Sequence, residues 1–198
     1  LEDVAVNYPN AAVNKFIVMD LPAYSNDEGD VVLLLPDNEI SDEFGYSSDY
    51  HFDLLDDTDG VSLERISFTV PTQNSDNWSS AAESENYGSP GYRNSQTQYE
   101  TTAEGTVSVY PPVFSPGGSQ DINNLEISYS FSDNSQVASV NIYSKDGVKT
   151  RALKSNILIG SEGTFFWDGA DDQGKAVSTG VYVIYFEVFG LDGNVQGY

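Results

Sequence analysis

Apolar and polar residues alternate at every second position in several short runs of the second half of the chain. In LEISYSF (125–131) Leu125, Ile127, Tyr129 and Phe131 share one face, and in VASVNIY (137–143) Ala138, Val140 and Ile142 do. A period of two is that of a half-buried β-strand. TVSVYP (106–111), VKTRAL (148–153) and FFWDG (165–169) extend the series. VYVIYFEVF (181–189) is apolar at nearly every position and predicts a central strand covered on both faces. Turn signals separate these runs: SKDG (144–147), whose Asp146-Gly147 pair suits positive φ, then GADDQGKAVSTG, then LDGN (191–194). About seven short strands over roughly 95 residues argue for a β-sandwich.

The first half is less regular. KFIVM (15–19) is strand-like, and VVLLLP (31–36) reads as a strand buried on both sides. In VSLERIS (61–67) Val61, Leu63 and Arg65 share one face, and Ser62, Glu64 and Ile66 the other. The polar run NSQTQYETTAEG (94–105) has almost nothing to bury and reads as a linker. The expected organisation is all-β: a first β domain over 1–95, a linker over 96–105 and a β-sandwich over 106–198. No segment shows helical periodicity of useful length.

Charge narrows the function classes. The 198 residues carry 31 acids and 8 bases, a net charge of -23. Residues 1–95 hold 19 acids and 3 bases, and residues 96–198 hold 12 and 5. Binding nucleic acid through phosphates needs a basic face, so no nucleic-acid partner is expected. An anionic membrane surface is disfavoured for the same reason, and no apolar run is long enough for a membrane-spanning helix. With no cysteine, disulfides, thiolate metal sites and a cysteine nucleophile are excluded.

Candidate chemistry is sparse. His51, the single histidine, has Ser47, Ser48 and Asp49 nearby but no nucleophile-elbow motif, so a structural role is expected. One histidine cannot make a zinc site. Among 31 acids, carboxylate pairs of the kind glycosidases use arise by chance. The acidic loop DLLDDTDG (53–60) lacks EF-hand spacing, which leaves a loose calcium site from Asp56, Asp57 and Asp59 or a solvated turn ending at Gly60. Asp168, Asp171 and Asp172 suit turn chemistry. Trp167 is expected over the sandwich core, and Trp78 is expected to anchor an irregular segment. An ion pair between Glu64 and Arg65 is expected. Asn77-Trp78-Ser79 matches a glycosylation sequon.

Two family resemblances join these observations. FSPGGSQDINNLEISY (114–129), VNIYSKDGVKTRAL (140–153), WDGADDQGKAVSTGVY (167–182) and the turn at Asp192-Gly193 resemble the immunoglobulin-like domain of flagellar hook-capping proteins, also found at the C-termini of secreted bacterial proteins. YPNAAVNKFIVMDLPAYSNDEGDVVLL (8–34), DEFGYSSDYHFDLLDDTDGVSLERIS (42–67) and NWSSAAESENYGSPGYRNSQ (77–96) resemble the later part of a bacterial lamin-tail domain. The resemblances imply two immunoglobulin-like β-sandwich domains, the first incomplete at its N-terminus and the last strand of the second truncated at Tyr198, in a fragment of a longer protein. In the opening loop of the second domain Gly117 and Ser119 stand where the family often carries acids, and only Asp121 remains.

The implied function is a non-catalytic structural or interaction module, secreted or on the outer surface of a Gram-negative bacterium. Its role would be adhesion, spacing, or export and anchoring in a type IX-like context. No cofactor is expected beyond the calcium alternative. The expected partners are extracellular polysaccharide or a cell-surface protein. An accessory region of a larger secreted hydrolase is the alternative, with its catalytic domain before Leu1. Binding of carbohydrate would call for an exposed row of aromatic residues, for which Tyr46, Tyr50, Tyr87 and Tyr92 are the candidates.

Overall fold

The computed structural model describes residues 2–98, 105–116, 123–133, 136–190 and 195–198. The chain divides into two compact units, Leu1–Gln98 and Tyr99–Tyr198. It is all-β with almost no helix; α1 (Glu2–Asn7) has six residues. Among the described residues no helix is long and apolar enough to cross a membrane.

The second unit is a sandwich of two antiparallel sheets. Its strands are β5 (Thr106–Tyr110), β6 (Leu125–Ser130), β7 (Gln136–Ser144), β8 (Lys149–Ile159), β9 (Glu162–Trp167), β10 (Tyr182–Phe189) and β11 (Val195–Gly197). One sheet has the order β11-β10-β7-β8, the other β5-β6-β9. Alternation along β6 and β7 turns Leu125, Ile127, Tyr129, Ala138, Val140 and Ile142 inward. They meet Ile157 and Ile159 of β8, Phe165 and Trp167 of β9, and Phe186 and Val188 of β10 in one apolar core. Tyr129 stands at its centre, with ring centroids 5.5 Å from Phe131, 5.4 Å from Phe165 and 5.5 Å from Phe186.

The turns follow the expected chemistry. Gly147, at φ +79°, closes the β7–β8 hairpin, with its N–H donating to the Ser144 carbonyl. Strand β10 departs from expectation. It lies inside its sheet between β11 and β7, yet only the face of Phe186 and Val188 is buried, while Val183 and Tyr185 are exposed. An antiparallel sheet in a two-layer sandwich has one solvated face, so an apolar run there need not be covered twice.

The first unit is built differently. Strands β1 (Glu28–Leu34) and β2 (Ile40–Ser47) form one antiparallel pair, and β3 (Leu63–Arg65) and β4 (Trp78–Ser80) another. Single 3-10 turns at Val13–Lys15, Ser48–Tyr50, Ser75–Asn77 and Glu83–Glu85 punctuate the rest. The buried residues described here are mostly polar: Glu64, Asn77, Ser79, Ser80, Ser89 and Gln96, beside the apolar Phe52, Ala81 and Ala82.

Three expectations are corrected in this unit. Phe16–Met19 form no strand, and Ile17 is 82% exposed. Val31–Leu35, expected to be buried on both sides, are between 41% and 62% exposed: among the described residues β1 and β2 form a two-stranded sheet whose faces carry no covering layer at this run. The polar run expected as a linker over 96–105 begins inside the unit: Gln96 is fully buried, and the units separate between Gln98 and Tyr99. Its amide finds fixed hydrogen-bond partners, which removes the cost of burying a polar side chain.

The sandwich core sets the stability of the second unit. Phe186→Ala, which removes a fully buried ring, is expected to lower its unfolding free energy by about 3–5 kcal/mol. Urea unfolding followed through Trp167 fluorescence measures this.

Candidate functional site

The buried polar groups of the first unit centre on Glu64. Alternation along β3 turns its side chain inward, where it is 4% exposed. The Ser89 hydroxyl donates to Oε1 in a short hydrogen bond. The Ser95 hydroxyl donates to Oε2 at 2.6 Å, and the Gln96 backbone N–H donates to the same oxygen at 3.3 Å. Each donor ties in another segment. Ser95 Oγ accepts the Ala82 N–H at 2.9 Å, Gln96 Nε2 donates to the Ser80 carbonyl at 2.9 Å, and Asn94 Nδ2 donates to the Arg65 carbonyl at 2.9 Å. The segment 89–96 is thereby fastened along β3 and β4.

The expected Glu64–Arg65 pair does not form, because neighbours in a strand point to opposite faces. Arg65 instead donates through Nε to the Ser67 carbonyl at 3.2 Å and through Nη2 to the Val70 carbonyl at 2.6 Å. Its Nη1 lies 4.0 Å from Asp42, and its guanidinium sits 5.5 Å from the centre of the Phe68 ring.

His51 meets a hydroxyl. Its Nδ1 lies 2.8 Å from Ser80 Oγ, which also accepts the Phe52 N–H at 3.0 Å. Ser80 is fully buried and His51 half-buried, so the pair pins the Ser48–Tyr50 turn to β4. Burial of the ring lowers the His51 pKa below 6.5. The neutral ring can accept the Ser80 proton at Nδ1 while Ser80 Oγ accepts from Phe52.

The acidic loop does not gather into a site. Asp56, Asp57 and Asp59 are all exposed, and Asp57 Oδ1 accepts the Asp59 N–H at 2.9 Å. That carboxylate supports its own turn, and no group of three potential ligands that could hold a metal occurs among the described residues. Asp168 and Asp171 likewise serve turns, and Asp172 ties its loop to β8. Their Oδ1 atoms accept, respectively, from Ala170, from Gln173 and Lys175, and from Ala152. Gly117, Ser119, Asp121 and the Asp192-Gly193 turn lie outside the described residues.

The aromatic candidates of the first unit fall into two groups, one around Phe44 and one beside Glu83 and Glu85. Trp167 is buried, donates through Nε1 to the Ala170 carbonyl and meets Phe114 and Tyr182 edge-on. Trp78 stacks on Phe44 with centroids 3.7 Å apart and donates to the Thr72 carbonyl at 2.8 Å, so one of its faces is occupied. Tyr46, Tyr50, Tyr87 and Tyr92 are half-buried; the rings of Tyr46 and Tyr50 each lie 6.3 Å from that of Phe44, which carries Trp78. Tyr92 donates to Glu85 Oε2 at 2.6 Å, and Tyr46 to the Ser25 carbonyl at 2.7 Å. Burial, then Glu85 and Glu83 respectively, raises the pKa of Tyr92 and of Tyr87. The Asn77 side chain of the sequon is buried, with both amide atoms bonded to the Ser67 backbone.

Two surface features remain. In the second unit an open depression of about 450 Å³ is lined by Gly105, Phe131, Asp133, Gln136, Gln196 and Tyr198 among others. In the first unit the β1–β2 hairpin exposes Val31, Val32, Leu33, Leu34 and Leu35, with Ile40 opposite Leu34. Exposed acids surround it: Asp27, Glu28, Asp30, Asp37, Glu39, Asp42 and Glu43. Sequence alone does not reveal this surface, because apolarity on both faces of a strand points equally to burial. The density of flanking acids was the available signal.

No family model matches the chain, and no curated protein matches it. One solved structure with similarity is FlgD from P. aeruginosa, 23% identical over 37% of this chain and 57% of that chain, with a TM-score of 0.33. The sandwich assignment rests on the strand pairing described above.

Both polar anchors are open to measurement. Glu64→Ala leaves two hydroxyls and one N–H without their acceptor, at about 1–3 kcal/mol for each buried group left unpaired. Faster hydrogen exchange at the Gln96 and Ala82 amides is expected, with the core amides of β6 and β7 unchanged. For His51 the folded pKa lies below the unfolded one, so its contribution to stability is complete above pH 6.5 and is lost as pH falls through the folded midpoint. As the chain has one histidine, its ring protons titrate alone in NMR, and a midpoint below 6.5 is expected.

Proposed function

We propose that this chain is a non-catalytic structural and interaction module of a secreted or cell-surface bacterial protein. The second unit acts as a rigid spacer and the first presents a binding surface. The observation that carries this reading is the exposed apolar hairpin β1–β2, set in a rim of acids on a unit whose interior is held by hydrogen bonds. An apolar patch rimmed by polar groups is the usual mark of an interaction site. The groups most able to do chemistry support the same reading, because each is committed to the fold: His51 to Ser80, and Glu64 to Ser89, Ser95 and Gln96. The resemblance of the two halves to domains of secreted bacterial proteins supports the location.

The second unit supports the spacer role. Its apolar core resists local opening, and the net charge of -23 keeps modules soluble and mutually repelling. A partner is expected to be a protein. The hydroxyls of Tyr46, Tyr87 and Tyr92 are bonded to a nearby carbonyl and to nearby acids, which commits them to the fold.

A panel of chromogenic ester, phosphomonoester and glycoside substrates, assayed with the whole chain, is expected to show no turnover above buffer. Turnover that disappears in His51→Ala or Glu64→Gln would overturn the reading.

A further inference from the structure

Resting on that module reading, we propose that the outer edge of β1 accepts an added β-strand from a partner protein, and that this strand is apolar at its centre with lysine or arginine at its flanks.

The ladder defines which backbone groups are free. The Ser48 N–H donates to the Asp27 carbonyl at 2.6 Å, and Glu28 stands opposite Ser47. Asp27 and Ser48 therefore form a hydrogen-bonded pair. In an antiparallel ladder such pairs alternate with pairs whose backbone groups point away from each other. Glu28, Asp30 and Val32 fall in the second class, so their N–H and C=O groups face outward from the hairpin. The partner strand shows the same alternation. The N–H of Gly45, opposite Asp30, donates to Gln73 Oε1 at 3.2 Å, and that of Glu43, opposite Val32, donates to Asp42 Oδ1 at 3.0 Å. The outer side of β2 is thus covered by residues 72–73, with the Thr72 hydroxyl also donating to Asp42 Oδ2 at 2.8 Å. Among the described residues no hydrogen bond engages the outward groups of β1 at Glu28, Asp30 and Val32.

Side chains and charge define the occupant. Val31 and Leu33 project to one face, Val32 and Leu34 to the other. A strand apolar on both faces gains stability only with neighbours beside it and layers over it, and an uncovered edge of this kind is a template for strand addition. Asp27, Glu28 and Asp30 flank one end of the apolar run, and Asp37 and Glu39 the other. A second copy would bring the same acids to the same place, on a chain of net charge -23. Like charges opposed across a strand pair are destabilising and opposite charges favourable. The complementary strand therefore carries cations at both ends.

The test uses the whole chain and a synthetic probe, Lys-Lys-Val-Thr-Ile-Val-Val-Thr-Lys-Lys with an N-terminal fluorophore, followed by anisotropy. The control peptide has glutamate in place of every lysine. The lysine peptide is expected to bind, with an affinity that falls between about 50 and about 300 mM salt as the charges are screened. The glutamate peptide is expected to bind at least about tenfold more weakly. Val32→Pro removes one outward N–H and none of the bonds to β2, since proline is tolerated on the solvent side of an edge strand. It is expected to weaken binding of the lysine peptide about tenfold or more. Val32→Lys, which leaves the backbone intact, is expected to do the same by charge. Retention of the Ser48 amide's exchange protection shows that the hairpin persists in both variants.

Absence of binding, or equal binding of the two peptides, overturns the proposal, as does unchanged binding by both variants. Self-association of the chain that Val32→Pro abolishes overturns it too, by giving the edge to a second copy. None of these results touches the non-catalytic reading, which stands or falls on turnover.

Discussion

A single buried carboxylate organises the first unit. Glu64 accepts from Ser89, Ser95 and Gln96, and each of those residues holds or adjoins a further backbone contact. A charged group out of water is tolerated only where donors replace its hydration. The chain supplies those donors from one short segment, 89–96, some thirty residues beyond β3 in the sequence. Without that segment in place Glu64 would face inward with no partner. Without Glu64 the segment would lose the acceptor shared by Ser89, Ser95 and Gln96.

The consequence runs outward to the surface. The unit's described interior consists of Glu64, Asn77, Ser79, Ser80, Ser89 and Gln96 with Phe52 and two alanines, so its larger aliphatic side chains find little room there. Ile17, Val18, Met19 and Leu21 remain exposed, as does the run Val31–Leu35. Hydrogen bonds with defined partners fix geometry, while the apolar strands are left available for contacts made elsewhere. The second unit has the opposite arrangement. Thirteen buried apolar residues form its core among those described, while Asp168 and Asp171 serve turns and Asp172 ties its loop to β8.

That division explains how much of each unit was legible in the sequence. In the sandwich, period-two alternation named Leu125, Ile127, Tyr129, Ala138, Val140 and Ile142 as one inward set, and all six are buried. Gly147 stood where the hairpin needed positive φ. The same logic failed for β10, whose outer apolar face is solvated, and for β1, whose two faces are both open. Hydrophobic pattern reports which faces can be buried; whether another layer packs over them decides which are. Glu64 was noticed for its neighbour Arg65, yet its partners lie 25 to 32 residues away, a separation that no local pattern encodes.

The sequence by itself determined the strand-forming segments of the second unit, the glycine of its β7–β8 turn and the acidity of the whole. Those properties depend on side-chain period, backbone conformational preference and composition, all of which are local. Only the tertiary structure decided that Gln96 is interior, that His51 rests against Ser80, that Asp56, Asp57 and Asp59 are exposed, and that β1 keeps an open edge. Each of these depends on which distant segment arrives as a neighbour, and burial is a property of the neighbour as much as of the residue.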